Sequence, residues 1–480
     1  MSFESRFQHL DRRAPIAEDN VAIIHDLEKC KNCTLCRKAC ADTMSVLDYY
    51  DLEATGDNPI CIQCGQCAVI CPFGAMYERT ELDKVKDAIA DPEKIVVIQT
   101  APAVRVSIGE EFGFEPGTYQ ESKMVGALRA LGADYVVDTN FGADLTIMEE
   151  ANELLERKLH GTGPLPQFTS CCPAWVKFCE TFFPEYVPHI SSARSCIAME
   201  SAMVKTYFAK NMNIDPKNIV SVSVAPCTAK KAEIRRPEQN NASRYTGEDL
   251  GPDTDICITT REFAQWIREA KLDFAAVEDS AYDKFIGAAT GGGVIFGNTG
   301  GVMEAAMRAS YKFITGDEPS PAPLLNLTDV RGMDGVKEAT VEIGGHTINV
   351  AVCHGGKNIR EFLNELKESG KTYDFIEMMA CPGGCIGGGG QPRAKLPVAN
   401  KVKGERIDGL YNWDSNMKLR SSYENPEIKD AYANFLEKPL GHIAHELLHT
   451  TYVDRSGDLG DRKDVTPETC PTSPKFKKPE

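Results

Sequence analysis

The stretch Glu377-Met-Met-Ala-Cys-Pro-Gly-Gly-Cys-Ile-Gly-Gly-Gly-Gly-Gln-Pro392 decides the fold. An apolar run at 375–379 has the length and composition of a buried strand, and it breaks at once into two cysteines set among glycines. Upstream, apolar runs at 95–99, 135–138, 219–224 and 348–353 alternate with helix-like stretches at 145–159, 198–210, 261–271 and 358–368. Such alternation predicts an α/β body with largely parallel sheets. Sites in these folds sit beyond the carboxyl ends of strands. Cys227 lies just past one predicted strand end and Cys381 just past another.

At 480 residues the chain exceeds what one compact core supports and implies two or three domains. Apolar residues at 42% and charged residues at 26% are ordinary for a soluble globular protein. The formal charge of -17, without any long basic run, argues against a nucleic-acid partner. Arg12 and Arg13 have no apolar stretch behind them, so no export signal is expected, and no run of apolar residues suffices for a membrane span. A cytoplasmic location follows as the expectation. In that reducing compartment, eighteen cysteines bunched in short spacings read as metal ligands, not disulfides.

Cys30, Cys33, Cys36 and Cys40 follow C-x2-C-x2-C-x3-C, and Cys61, Cys64, Cys67 and Cys71 repeat the pattern before Pro72. In two-cluster ferredoxins the fourth cysteine of each run ligates the other 4Fe-4S cluster. That assigns Cys30, Cys33, Cys36 and Cys71 to one cluster, and Cys61, Cys64, Cys67 and Cys40 to the other. A zinc ribbon, the alternative, uses cysteine pairs separated by a long gap. The expected organisation is an N-terminal extension (1–20), a small α+β ferredoxin-like domain (21–80), a charged helical connector (81–93), the α/β body (94–455) and a polar tail (456–480).

Three segments of the body stand together: Thr169-Ser-Cys-Cys-Pro-Ala-Trp175, Ala225-Pro-Cys-Thr-Ala-Lys-Lys231 and the opening stretch. They supply Cys172, Cys227, Cys381 and Cys385, one more set for a 4Fe-4S cluster. The glycines could instead form a phosphate loop, but neither this stretch nor 291–301 spells G-x-G-x-x-G or a Walker A motif. In order and spacing the three segments resemble the signatures of FeFe hydrogenases, over about 21–456. The resemblance implies two lobes with mostly parallel sheets flanking an H-cluster. In that cofactor a 4Fe-4S cluster is bridged to a di-iron unit carrying CO, cyanide and azadithiolate. It implies Cys385 as the bridging ligand, Lys230 as the holder of a cyanide, and Met379, Ser195 and Pro102 as pocket residues. It further implies reversible interconversion of dihydrogen with protons and electrons, a soluble ferredoxin or flavodoxin docking near 30–71, and dedicated maturation proteins.

Cys171 matches the family's proton-donor cysteine, and Glu150, Glu153, Ser191 and Arg157 match the rest of its proton pathway, with Glu233 in support. From spacing alone, Glu150, Glu153 and Arg157 would form an ion-pair ladder on a helix surface. Ala225 stands where the best-known members carry methionine, so the chain resembles the branch with alanine there, and Cys196-Ile197 stands where many members have Pro-Gln. Cys196 is either a buried small residue or a thiol that caps or relays at the open site. Cys179, Cys257 and Cys353 are expected in the core, and Cys470 exposed in the tail. Three rivals remain: an iron-sulfur assembly scaffold, a hydrogen sensor and a plain electron carrier. Cys171, Lys230, Met379 and Glu153 favour the hydrogenase, since a scaffold has no use for a proton relay.

Overall fold

The structure, a computed structural model, describes residues 9–319 and 324–477; the first eight residues of the extension and the last three of the tail lie outside them. It is a mixed α/β fold. Near the N-terminus β1 (Ile23–His25) pairs antiparallel with β2 (Met76–Glu78), and the short helices Leu35–Lys38 and Gln66–Ile70 lie between them in sequence. A helix at Leu82–Ala90 forms the connector. The body then lays down β3 (Ile95–Thr100), β4 (Tyr135–Asp138), β5 (Gln167–Phe168), β6 (Ile219–Ala225), β7 (Ile256–Thr259), β8 (Val336–Ile343), β9 (His346–His354) and β10 (Phe375–Met379).

These eight strands form two sheets. One has the order β4-β3-β6-β7 and is parallel throughout. The other has the order β5-β10-β9-β8, parallel except where β8 and β9 form a hairpin. Parallel strands covered on both faces read as continuous apolar runs. Val96, Val97 and Ile98 of β3 are accordingly buried, as is every residue of β10. The helix Thr139–Leu155 begins earlier than its apolar periodicity indicates, capped by the Asp138 carboxylate accepting from the Asn140 amide. β5, β7 and β8 were not anticipated from sequence.

The cysteine-rich N-terminal segment is not a separate bead. Its Met44, Leu47, Ile62 and Ala68 share one apolar core with Trp175, Phe178 and Ile376 of the body. The tail corrects one expectation: Cys470 is fully buried, and its thiol donates to the Tyr50 carbonyl at 3.3 Å. Arg462 pairs with Asp51, and Arg37 donates to the Thr472 carbonyl at 3.2 Å. Cys179, Cys257 and Cys353 are buried as expected.

At the carboxyl end of β3, Arg105 is wholly buried and donates to Asp138 at 2.8 Å, Glu121 at 2.6 Å and the Thr100 carbonyl at 3.2 Å. Replacing it by methionine strands the Asp138 carboxylate in the interior. Arg105→Met should therefore cost about 3–5 kcal/mol in anaerobic urea unfolding. Adding Asp138→Asn should recover part of that loss. A loss below about 1 kcal/mol would contradict this assignment.

Candidate active site

Three strand ends meet between the two sheets. β5 leads into Thr169–Cys172, β6 into Pro226 and Cys227, and β10 into Ala380 and Cys381. The Thr169 hydroxyl accepts from the Met378 amide at 3.0 Å, and its carbonyl accepts from the Trp175 indole at 3.0 Å, tying the β5 end to β10. Cys172 is the N-cap of the helix Pro173–Phe182, with proline in its first turn. The sulfur thus faces the positive end of that helix, which favours thiolate. It also accepts from the Ala380 amide at 3.4 Å.

Cys385 lies within electrostatic reach of Cys172, Cys227 and Cys381, so the four thiols from the three signatures do come together. All are free, and burial raises every one of their pKa values, that of Cys227 to about 11. Thiols held together in so dry a site call for a positive centre to make them ligands. Among the described residues, no three His, Cys, Asp or Glu side chains converge as on a single metal ion. Ligands of a cluster stand further apart, around a body of several atoms.

Glycine is required at two points of the loop after β10. Gly384 has φ +90°, and a Cβ there would meet the Thr299 amide at 2.6 Å and the Met379 sulfur at 2.8 Å. A Cβ on Gly389 would lie 2.2 Å from the Cys64 carbonyl. The loop therefore abuts the second N-terminal quartet, and the contact is sealed by Gln66 donating to the Gly387 carbonyl at 2.9 Å and Thr228 to the Gln63 carbonyl at 2.7 Å. Cys64 lies within electrostatic reach of Cys381.

The N-terminal cysteines gather in two adjoining neighbourhoods. One cavity is lined by Cys30, Cys33, Cys36 and Cys71. Cys64 and Cys67 both have Cys40 and Cys61 as electrostatic neighbours.

Around the body's four thiols, Lys230 is buried and donates to Glu233 at 2.7 Å and to the Cys171 carbonyl at 3.1 Å. Ser195 donates to Glu233 at 3.0 Å. Cys196 begins the helix Cys196–Met203, packs in one apolar cluster with Ala225 and Met379, and has Lys230 and Glu233 as neighbours. Burial pushes its thiol up to about 11. Pro102 is buried in the turn that follows β3.

The surface ladder is overturned. Glu150 is wholly buried and Arg157 is 8% exposed. Arg157 donates to Glu153 at 2.6 Å and to the carbonyls of Pro164, His189 and Ile190 at 3.1 Å each. Ser191 donates to Glu153 at 2.7 Å. Burial, reinforced by Glu153, pushes Glu150 up to about 8, and Glu150 in turn neighbours Cys171.

Two residues escaped the sequence reasoning. Glu377 is buried in β10 and accepts from the Gly300 amide at 2.6 Å and Met303 at 2.9 Å, anchoring the start of the helix Gly301–Thr315 beside the signature loop. His354 accepts from the Gly383 amide at 3.0 Å and so holds the turn that leads to Cys385. Glu377 stood inside the quoted signature, but nothing local marked either residue.

Comparison with known proteins agrees with this geometry. The model of the iron only hydrogenase large subunit, C-terminal domain, matches residues 94–389, and that of the iron hydrogenase small subunit matches 400–455. NADP-reducing hydrogenase subunit HndD of Solidesulfovibrio fructosivorans is 44% identical over 453 residues, covering 91% of this chain and 75% of the relative. Iron hydrogenase 1 of Clostridium pasteurianum is 41% identical over 456 residues, covering 92% and 78%. A solved variant of the [FeFe]-hydrogenase HydA1 from Chlamydomonas reinhardtii superposes with a TM-score of 0.69 at 39% identity, covering 78% of this chain and 99% of that one. The assembly factors raised as a rival are more distant, cytosolic iron-sulfur assembly component 3 of Bos taurus being 29% identical. The chain belongs to the iron-only, or FeFe, hydrogenases, a family of oxidoreductases that carry an H-cluster and further iron-sulfur clusters.

Proposed function

We propose that the chain interconverts dihydrogen with two protons and two electrons at a site held by Cys172, Cys227, Cys381 and Cys385, with Cys385 shared between a 4Fe-4S cluster and a di-iron unit. The observation that carries this is the meeting of those four buried thiols beyond three strand ends, with Lys230 and Cys171 beside them. The dry donor set and the close glycine loop fit a bulky cofactor whose iron centres take thiolate ligands. When bound, that group supplies the open metal position and the base at which dihydrogen reacts.

The chain's own residues do the rest. Lys230, oriented by Glu233, presents a buried cation to an anionic ligand of the cofactor, while Ser195, Met379 and Pro102 shape the pocket. Cys171 hands protons to and from Glu150, and Ser191 and Glu153 carry them onward, with the guanidinium of Arg157 holding the Glu153 carboxylate in place. A carboxyl group poised near 8 both holds and releases a proton around neutrality.

Two further 4Fe-4S clusters would supply a route for electrons. Cys61, Cys64, Cys67 and Cys40 hold the one next to the glycine loop; Cys30, Cys33, Cys36 and Cys71 hold the outer one, where Cys33 is exposed. A soluble ferredoxin or flavodoxin is the expected partner there, and maturation proteins insert the di-iron unit. A cytoplasmic location is the expectation, and among the described residues no helix is long and apolar enough to cross a membrane.

Anaerobic infrared spectroscopy of matured protein should show CO and cyanide stretches; their absence from fully iron-loaded material would overturn the di-iron assignment. Cys171→Ser should cut dye-linked hydrogen evolution by roughly 100-fold or more at unchanged iron content. Activity near the parent level would refute the proton route. Between its ordinary value of 4.5 and about 8, Glu150 keeps a proton in the folded chain that the unfolded chain has released. Stability therefore falls as pH rises through that window. Urea midpoints of Glu150→Gln should show a flatter decline from pH 5 to 8 than the parent's, and an equal slope would contradict the assignment.

A further inference from the structure

His25 closes β1, and its register partner is Met76, at the start of the strand that follows the Cys71-Pro72-Phe73 turn. This pairing turns the imidazole into the cavity lined by Cys30, Cys33, Cys36 and Cys71. Its Nε2 is shielded from solvent yet makes no hydrogen bond to any described group. The adjacent carboxylate in sequence, Asp26, is already held by the amides of Glu28 and Lys29 and by the Lys29 ammonium at 3.0 Å. The cavity lining includes Arg12, Arg13 and Lys31 but no Asp or Glu, so no carboxylate meets the imidazole there, and the Asn32 Oδ1 accepts from the Cys30 thiol at 3.7 Å. A buried donor without a partner is rare, and its usual explanation is a group that occupies the space beside it.

We propose that His25 donates a hydrogen bond through Nε2 to a sulfur of the outer 4Fe-4S cluster and thereby raises that cluster's reduction potential. This rests on the cluster assignment above. Hydrogen bonds to cluster and ligand sulfurs stabilise the reduced, more negative state. The Ala14 amide already donates to the Cys36 sulfur at 3.5 Å on the same cluster. His25 is a tuning residue: it sets how readily the outermost centre holds an electron before passing it to the partner, and it takes no part in the chemistry at the body's site.

The test uses the full chain, reconstituted anaerobically, with His25→Leu, His25→Gln and Cys33→Ala. Cys33→Ala should lose about four iron atoms per chain; an unchanged count would overturn the cluster assignment itself. His25→Leu should keep its iron, shift the potential of one N-terminal cluster downward in an EPR-monitored titration, and leave the other in place. His25→Gln, which retains an amide donor, should recover much of the shift. In the parent, pulsed EPR of the reduced cluster after 15N-histidine labelling should show an imidazole coupling that is absent from His25→Leu. Unchanged potentials in His25→Leu at full iron content would overturn the proposal while sparing the cluster assignment. If His25→Leu loses iron, the parent's 15N coupling and the His25→Gln potential decide, and absence of the coupling refutes the proposal.

Discussion

Four sulfur atoms carried by distant stretches of the chain must face one another in a place without water. Everything around them answers to that constraint. Two largely parallel sheets deliver strand ends to a common edge, and only backbone that can run close to other backbone fits between them. Gly384 and Gly389 mark where a side chain would collide with Met379 or the Cys64 carbonyl. The same close approach sets the second N-terminal quartet against the signature loop, so the fold that builds the site also builds its electrical contact.

Dryness has consequences for every charge nearby. A buried ion must be paired or change its protonation state. Lys230 is paired with Glu233, Arg157 with Glu153, and Glu377 with amides at a helix start. Glu150 has no cation beside it and takes the other course, holding its proton close to neutrality. The pattern separates groups that fix geometry from the one whose charge is free to change. Cys171 lies beside that group, between it and the ligand set.

Much of this was legible in the sequence, for reasons that differ from residue to residue. β3, β4, β6, β9 and β10 carry mainly apolar runs, broken in β6 only by Ser221 and Ser223 and confined in β9 to its second half, because central strands are covered on both faces. β5 is only Gln167–Phe168, too short for any periodicity, and β8 alternates exposed charge with buried residues at the sheet edge. The helix Gly301–Thr315 begins behind a run of glycines that disguises its start. The cysteine spacings named the cluster ligands, whereas the ladder of Glu150, Glu153 and Arg157 is indistinguishable by spacing from an exposed helix face. Only the family resemblance turned it inward. Cys470 was misjudged because its burial depends on a distant partner, the Tyr50 region, and not on its own polar surroundings.

The central claim is that Cys172, Cys227, Cys381 and Cys385 form a single cluster site in addition to the two N-terminal ones. Iron and acid-labile sulfide per chain, measured on protein reconstituted anaerobically without the di-iron unit, test it most directly. Three cubanes predict about twelve iron atoms. A reproducible count of about eight, with both N-terminal clusters intact by EPR, would contradict it.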